Sequence, residues 1–142
     1  MSEDAHVTWE RRQQELWDRI FQATQDVAAL ADTMGNSVGE GIVRQEMVKS
    51  AMKVGVELVR ANAADSKEMF LDYVEGARAQ AIETDYWLRL GYSIQQQEST
   101  QRDLSTVIGQ YASIVDLLQK FLRHAEGESD VIRQHAKGPR VT

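Results

Sequence analysis

Cysteine is absent from all 142 residues. That removes disulfides, thiol nucleophiles and thiolate metal ligands at once. Proline is nearly absent: the one proline, Pro139, stands close to the end of the sequence, so nothing inside the chain forces a helix to break. No apolar run approaches the ~20 residues a membrane-spanning helix needs. Met1 to Val7 is acidic and polar, unlike a secretory leader. These absences predict a soluble protein with a cytoplasmic location and no membrane partner. Strand signals are missing too, because apolar residues never alternate with period two over a useful length. Gly35, Gly39 and Gly41 are not followed by the Gly-Lys-Ser/Thr of a phosphate-binding loop, and no Gly-x-Ser-x-Gly elbow occurs. A di-iron bundle needs several Glu-x-x-His pairs on facing helices, and this chain has one, Glu3 with His6. Glu83 and Asp85 are two apart and diverge on a helix. The expectation is a protein that is not an enzyme, with no catalytic residue, metal or cofactor.

What is present is a long chain of amphipathic helix. Hydrophobic residues make up 42% and charged residues 27%, ordinary values for one globular domain. A chain of this length buries roughly two-thirds of its unfolded surface. The charge is acidic, 16 Lys and Arg against 22 Asp and Glu, net −6, so the overall field repels nucleic acid and anionic membranes. The distribution is uneven. Residues 1–34 hold seven acids and three bases, residues 65–90 six and three, but residues 37–64 three acids and four bases.

Four segments follow the helical period. Trp9, Leu16, Trp17, Ile20, Val27 and Ala31 form one face, with Phe21 at its edge, predicting a helix over 9–31. Val43, Met47, Ala51, Val54 and Leu58 form a row on a second helix over 41–64. Beside it runs another row, Val48, Met52, Gly55 and Val59, a stripe wider than one core face needs. Ser37 with Glu40 resembles a capping box, and Arg44 and Asn62 inside the stripe need partners if buried. A third helix over 66–90, capped by Ser66, carries Phe70, Tyr73, Val74, Ala77, Ala81 and Leu88, plus a second row of Leu71, Ile82, Tyr86 and Leu90. A fourth over 100–126, with Thr100 and Asp103 as cap, carries Leu104, Val107, Ile108, Tyr111, Val115, Leu118 and Leu122. Gly35, Gly91 and Gly127 read as helix stops, His124 as a partner of the last helix terminus, and residues 127–142, including His135, as a polar tail. Short links between long helices predict an all-α, antiparallel up-down-up-down four-helix bundle.

Two sets of residues are candidates for function. The surplus apolar rows suggest an oligomer interface using Leu71, Ile82, Tyr86 and Leu90 with Val43 and Met47, because a monomer would leave a large patch in water. Lys49, Lys53 and Arg60 align on the second helix and form a weak nucleic-acid contact candidate.

Gly41-Ile42-Val43-Arg44-Gln45 resembles the Gly-Leu-x-x-Gln start of helix two in the bacterial four-helix-bundle family. That family includes proteins encoded in intervening sequences of ribosomal RNA genes and the accessory variability protein of diversity-generating retroelements. Ser66-Lys67-Glu68-Met69-Phe70 is similar to its Ser-x-x-Glu-Phe beginning of helix three, with the glutamate displaced by one. Glu83, Leu88 and Leu90-Gly91-Tyr92 resemble that helix's end. Where the family often has Asn-Ile-Ala-Glu-Gly, this chain has Val56-Glu57-Leu58-Val59-Arg60, with Asn62-Ala63-Ala64-Asp65 a few residues later. The resemblance implies a bundle that assembles into a homo-oligomeric ring, typically a pentamer. For the retroelement branch it also implies binding to nucleic acid and a reverse transcriptase. Those members are strongly basic, and this chain is acidic.

Overall fold

The computed structural model describes the backbone of residues 3–137 and the side-chain surroundings of residues 10–125 and 127. The side chains of Glu3, His6, Trp9 and His135, and all of Pro139, lie outside the described residues. Four helices follow in order: α1 (Glu3–Ala31), α2 (Val38–Asn62), α3 (Lys67–Ile94) and α4 (Glu98–Lys137). Each packs on its neighbours in a cycle, α1 on α2, α2 on α3, α3 on α4 and α4 on α1, while the backbones of the diagonal pairs stay apart. Joined by short turns, this is the antiparallel four-helix bundle that the periodicity predicts. No strand occurs among the described residues.

The predicted core stripes are the observed core. Leu16, Ile20, Val27 and Ala31 of α1, the Val43–Leu58 row of α2, Val74, Ala77, Ala81 and Leu88 of α3, and Leu104, Val107, Tyr111, Leu118 and Leu122 of α4 are all buried in one cluster. Ile114 is buried with them, although the sequence reading passed over it. Burial pushes the ionisation of the Tyr111 hydroxyl above the ordinary tyrosine range, with the neighbouring Thr24 hydroxyl opposing the shift and Asp26 adding to it.

Helix ends follow side-chain chemistry more than glycine position. Ser37 and Ser66 are both in extended backbone conformation and cap α2 and α3, their hydroxyls accepting from the N–H groups of Glu40 and Met69. By contrast, α3 runs through Gly91 to Ile94. Gly91 is buried, and a Cβ there would stand 3.3 Å from Val43 Cγ1, 3.6 Å from Met34 Cε and 3.7 Å from Leu104 Cδ2. The residue is small because α2, α4 and the α1–α2 turn converge on it. Likewise α4 continues past Gly127, which places His124 within the helix instead of at its terminus. Thr100 does not cap α4: it is buried two residues inside the helix, its hydroxyl 3.4 Å from the side-chain oxygen of Gln97.

Two polar knots fix register. In the middle of the α2–α3 seam the Thr84 hydroxyl lies 2.9 Å from Ser50 Oγ and 2.8 Å from the Gln80 carbonyl, while Ser50 donates to the Met47 carbonyl at 3.2 Å. At one end of the bundle the Glu40 carboxylate accepts from the Ser37 hydroxyl at 2.7 Å, the Gly35 N–H at 3.0 Å and the Gln95 amide at 3.4 Å. Arg44 donates to the Gly35 carbonyl at 2.8 Å, which satisfies the cation that lies within α2's apolar stripe. Buried Gln95 in turn receives Gln101 on its backbone carbonyl at 2.8 Å. The α1–α2 turn and the α3–α4 turn are thus tied through one carboxylate. The Ser37 hydroxyl, with help from the Gly35 N–H and Gln95, holds that carboxylate below its ordinary pKa of 4.5.

Two measurements test these assignments. Gly91→Ala trades ~1 kcal/mol of helix propensity against a tight contact, so its urea midpoint stays close to wild type. Gly91→Leu overfills the junction and loses ~1–3 kcal/mol. Glu40 protonates later in the folded than in the unfolded chain, so its contribution is present at neutral pH and is lost as pH falls below 4.5 toward the lowered folded value. Glu40→Gln is less stable than wild type at pH 7, and the two urea curves converge at acid pH.

Candidate interaction surface

The surplus apolar rows divide between core and solvent. Val43 and Met47 are completely enclosed by the bundle, which corrects their assignment to an intersubunit face. They belong to the row of α2 that points at the common axis, so no partner reaches them without unfolding the protein. Leu71 and Leu90 are partly buried and pack against the core. Ile82 and Tyr86 stand out, 45% and 59% exposed. Tyr86 packs edge-on against Trp87 with ring centroids 5.1 Å apart.

The second α2 row makes a different feature. Val48 packs against the core, while Met52 and Val59 are 50% and 52% exposed, joined by Val56 at 46% and by Phe21 of α1 at 56%. These four side chains edge a groove of about 510 Å³ running between α1 and α2. It is lined also by small residues, Ala28 and Thr24 on α1 and Gly55 on α2, and by Trp17 and Ile20. Thr24, one of its few polar groups, turns its hydroxyl back to the Ile20 carbonyl at 2.7 Å. A groove so poor in hydrogen-bonding groups suits apolar side chains better than a polar small molecule. Phe21 had seemed a stripe-edge residue, and Val56 had no part in either predicted row. Both are exposed on the groove between α1 and α2.

The basic stripe is smaller than its sequence suggests. Arg60 forms an ion pair with Glu57 at 3.2 Å. Lys49 and Lys53 are exposed and make no ion pair among the described residues, so two cations remain of the three. Asn62 is exposed and lines a separate cavity of about 480 Å³ at the other end of the bundle, beside Gln13, Gln14, Phe70 and Phe121. The rings of Phe70 and Phe121 lie 5.7 Å apart there. Glu83 and Asp85 diverge, Glu83 toward the Trp87 indole at 3.5 Å and Asp85 to Arg89 at 2.8 Å. Among the described residues no three His, Asp or Glu side chains gather to hold a metal ion, and no helix is long and apolar enough to cross a membrane.

The fold is similar to that of a protein of unknown function from the S23 ribosomal protein family of Bacteroides thetaiotaomicron, known from a 1.70 Å crystal structure. The TM-score is 0.70 at 20% identity, over 79% of this chain and 98% of that one. At that identity the likeness speaks for the bundle fold alone. No family model matches the sequence, and no curated protein does.

With a net charge of −6 and two unpaired lysines, nucleic-acid affinity is expected to be weaker than ~10 μM at physiological salt and to fall steeply as salt rises. Fluorescence anisotropy with a labelled oligonucleotide measures it. Tight, sequence-selective binding at that salt contradicts the expectation.

Proposed function

We propose that the protein is a non-enzymatic, self-assembling helical bundle that acts through protein–protein contacts. The observation that carries this reading is the set of large apolar side chains left in water: Phe21, Met52, Val56 and Val59 along the α1–α2 groove, and Ile82 and Tyr86 on α3. Each such side chain buried in an interface contributes ~1.5–3 kcal/mol, so a few per subunit suffice to hold an assembly. The polar neighbours of these side chains are amides, lysines and carboxylates already paired or facing solvent. Among the described residues they bring no nucleophile, base and oxyanion site to one point. The homo-oligomeric ring, typically a pentamer, that the family resemblance implies is the form of assembly this reading favours.

A second reading is an accessory factor for nucleic acid, working beside a reverse transcriptase or ribosomal RNA. It draws on the unpaired Lys49 and Lys53 and on the name of the S23 ribosomal protein family to which the structural neighbour belongs. It ranks below the first because two cations release few counterions.

Light scattering at micromolar concentration decides the first reading. The wild-type mass is expected to be a multiple of 16.1 kDa. Ile82→Asp is expected to keep its helical circular dichroism and become smaller, since Ile82 contributes little to the bundle's own core. A monomeric wild type removes the reading.

A further inference from the structure

The two ends of the bundle treat their polar side chains differently. At the Glu40 end, Ser37, Arg44 and Gln95 all find partners inside the fold. At the opposite end, the side-chain amides of Gln13 on α1 and Asn62 on α2 make no hydrogen bond among the described residues. Both border the cavity of about 480 Å³. Neither amide is committed to holding the bundle together.

The same cavity has an aromatic side. Trp17 of α1, Phe70 of α3 and Phe121 of α4 line it with Ala61 of α2, so all four helices contribute. Phe70 and Phe121 pack at a 43° tilt, and Phe70 is only partly buried. Leu58 and Phe121, which also border the cavity, are the two least buried members of the core cluster. The core therefore opens here. A space of this size, with aromatic walls and a few placed polar groups between bundle helices, has the make-up of a small-molecule site.

The lining narrows the ligand. A primary amide offers an N–H donor and a carbonyl acceptor side by side. A ligand edge with an adjacent acceptor and donor answers both halves, as in the bidentate pairing of Asn or Gln with a purine edge. An organic cation presents donors alone and a phosphate acceptors alone, so each leaves half of the amide unanswered. Aromatic walls favour a flat body that stacks. Among the described lining residues the one ionisable side chain is the acidic Glu10, and the chain carries a net charge of −6, so an attached phosphate is repelled.

We propose that this cavity binds a neutral, planar nitrogen heterocycle with neighbouring donor and acceptor groups, a free nucleobase or its nucleoside. Gln13 and Asn62 meet its edge, and Trp17 and Phe70 pack against its faces. The site shares only Trp17 with the α1–α2 groove and does not depend on the self-assembly reading. It also differs in kind from the lysine surface of α2, since it takes the base and excludes the phosphate.

Titration of the isotope-labelled protein, followed by nuclear magnetic resonance of the side-chain amides, tests it. The probes are adenosine, guanosine, cytidine and uridine, with their monophosphates and phenyltrimethylammonium as charged counterparts. At least one nucleoside is expected to bind with a Kd below ~1 mM and to move the Gln13 and Asn62 signals, and its monophosphate to bind more weakly. Gln13→Ala and Asn62→Ala each weaken binding by ~2- to 10-fold and leave the urea midpoint close to wild type. Phe70→Leu, checked for its helical circular dichroism, weakens binding by ~5-fold or more. If no nucleoside moves those amide signals at millimolar concentration, the proposal falls. It falls equally if a monophosphate or the cation binds more tightly than every nucleoside, or if the alanine variants or Phe70→Leu bind as wild type does, which puts the ligand elsewhere.

Discussion

The close approach of α2 and α3 is the constraint from which the rest of the bundle follows. Small residues permit it. Ala51, Ala77 and Ala81 are fully buried, and a Cβ on Gly91 would stand 3.3 Å from Val43 Cγ1, close enough that Val43 must give by a few tenths of an ångström. The Ser50–Thr84 hydroxyl contact then fixes how far one helix slides along the other, since a shift by a turn would bury both oxygens without each other. With α2 committed to α3 along its full inner face, α1 meets α2 along a looser seam. The groove between them is what this unequal division of contacts leaves.

The parts of this arrangement that depend on period were legible in the sequence. Four stripes with three- and four-residue spacing identified most core positions but not Ala23, Leu30, Met34, Ala61, Ile114 and Phe121; the Ser66 cap placed the start of α3, while α2 begins at Val38, three residues before the expected 41. Glycine was the misleading signal. A glycine at a helix C-terminus and a glycine at a helix crossing look identical in one sequence, and only the three side chains around Gly91 distinguish them. Cross-helix polar contacts were also invisible. Ser50, Thr84 and Gln95 read as ordinary polar residues until the fold brings their partners from 34 and 55 positions away. The wide stripe of α2 told that surplus apolar surface exists but not which row faces outward. Val43 and Met47 were assigned to the wrong side of that division, because a helix has no sequence mark for the direction of the bundle axis.

The charge distribution gains meaning once it is folded. The slightly basic segment 37–64 and the acidic segment 65–90 are consecutive in the chain, yet they form neighbouring antiparallel helices whose outer faces differ in sign. Most ion pairs are local, at i and i+3 or i+4 on exposed surface, and such pairs add little to stability. Their larger effect is subtractive. They neutralise Arg19, Arg60, Arg78, Arg89 and Lys120 in place, and on α2 and α3 they leave Lys49, Lys53, Lys67, Glu68 and Asp72 outside any ion pair among the described residues.

The Glu40 knot bears on how the molecule breathes. Because one carboxylate holds both the Gly35–Ser37 turn and Gln95, neither turn can loosen without releasing the other. Amide hydrogens around Gly35 and around Gln97 should then exchange with solvent at a common rate, as one small opening unit. The turn at residues 63–66, held by the Ser66 cap and by the Ala63 and Ala64 N–H groups bonded back into α2, has no side-chain tie to another turn among the described residues and opens independently. The two ends of the bundle therefore differ in cooperativity, although both are built from the same short turns between long helices.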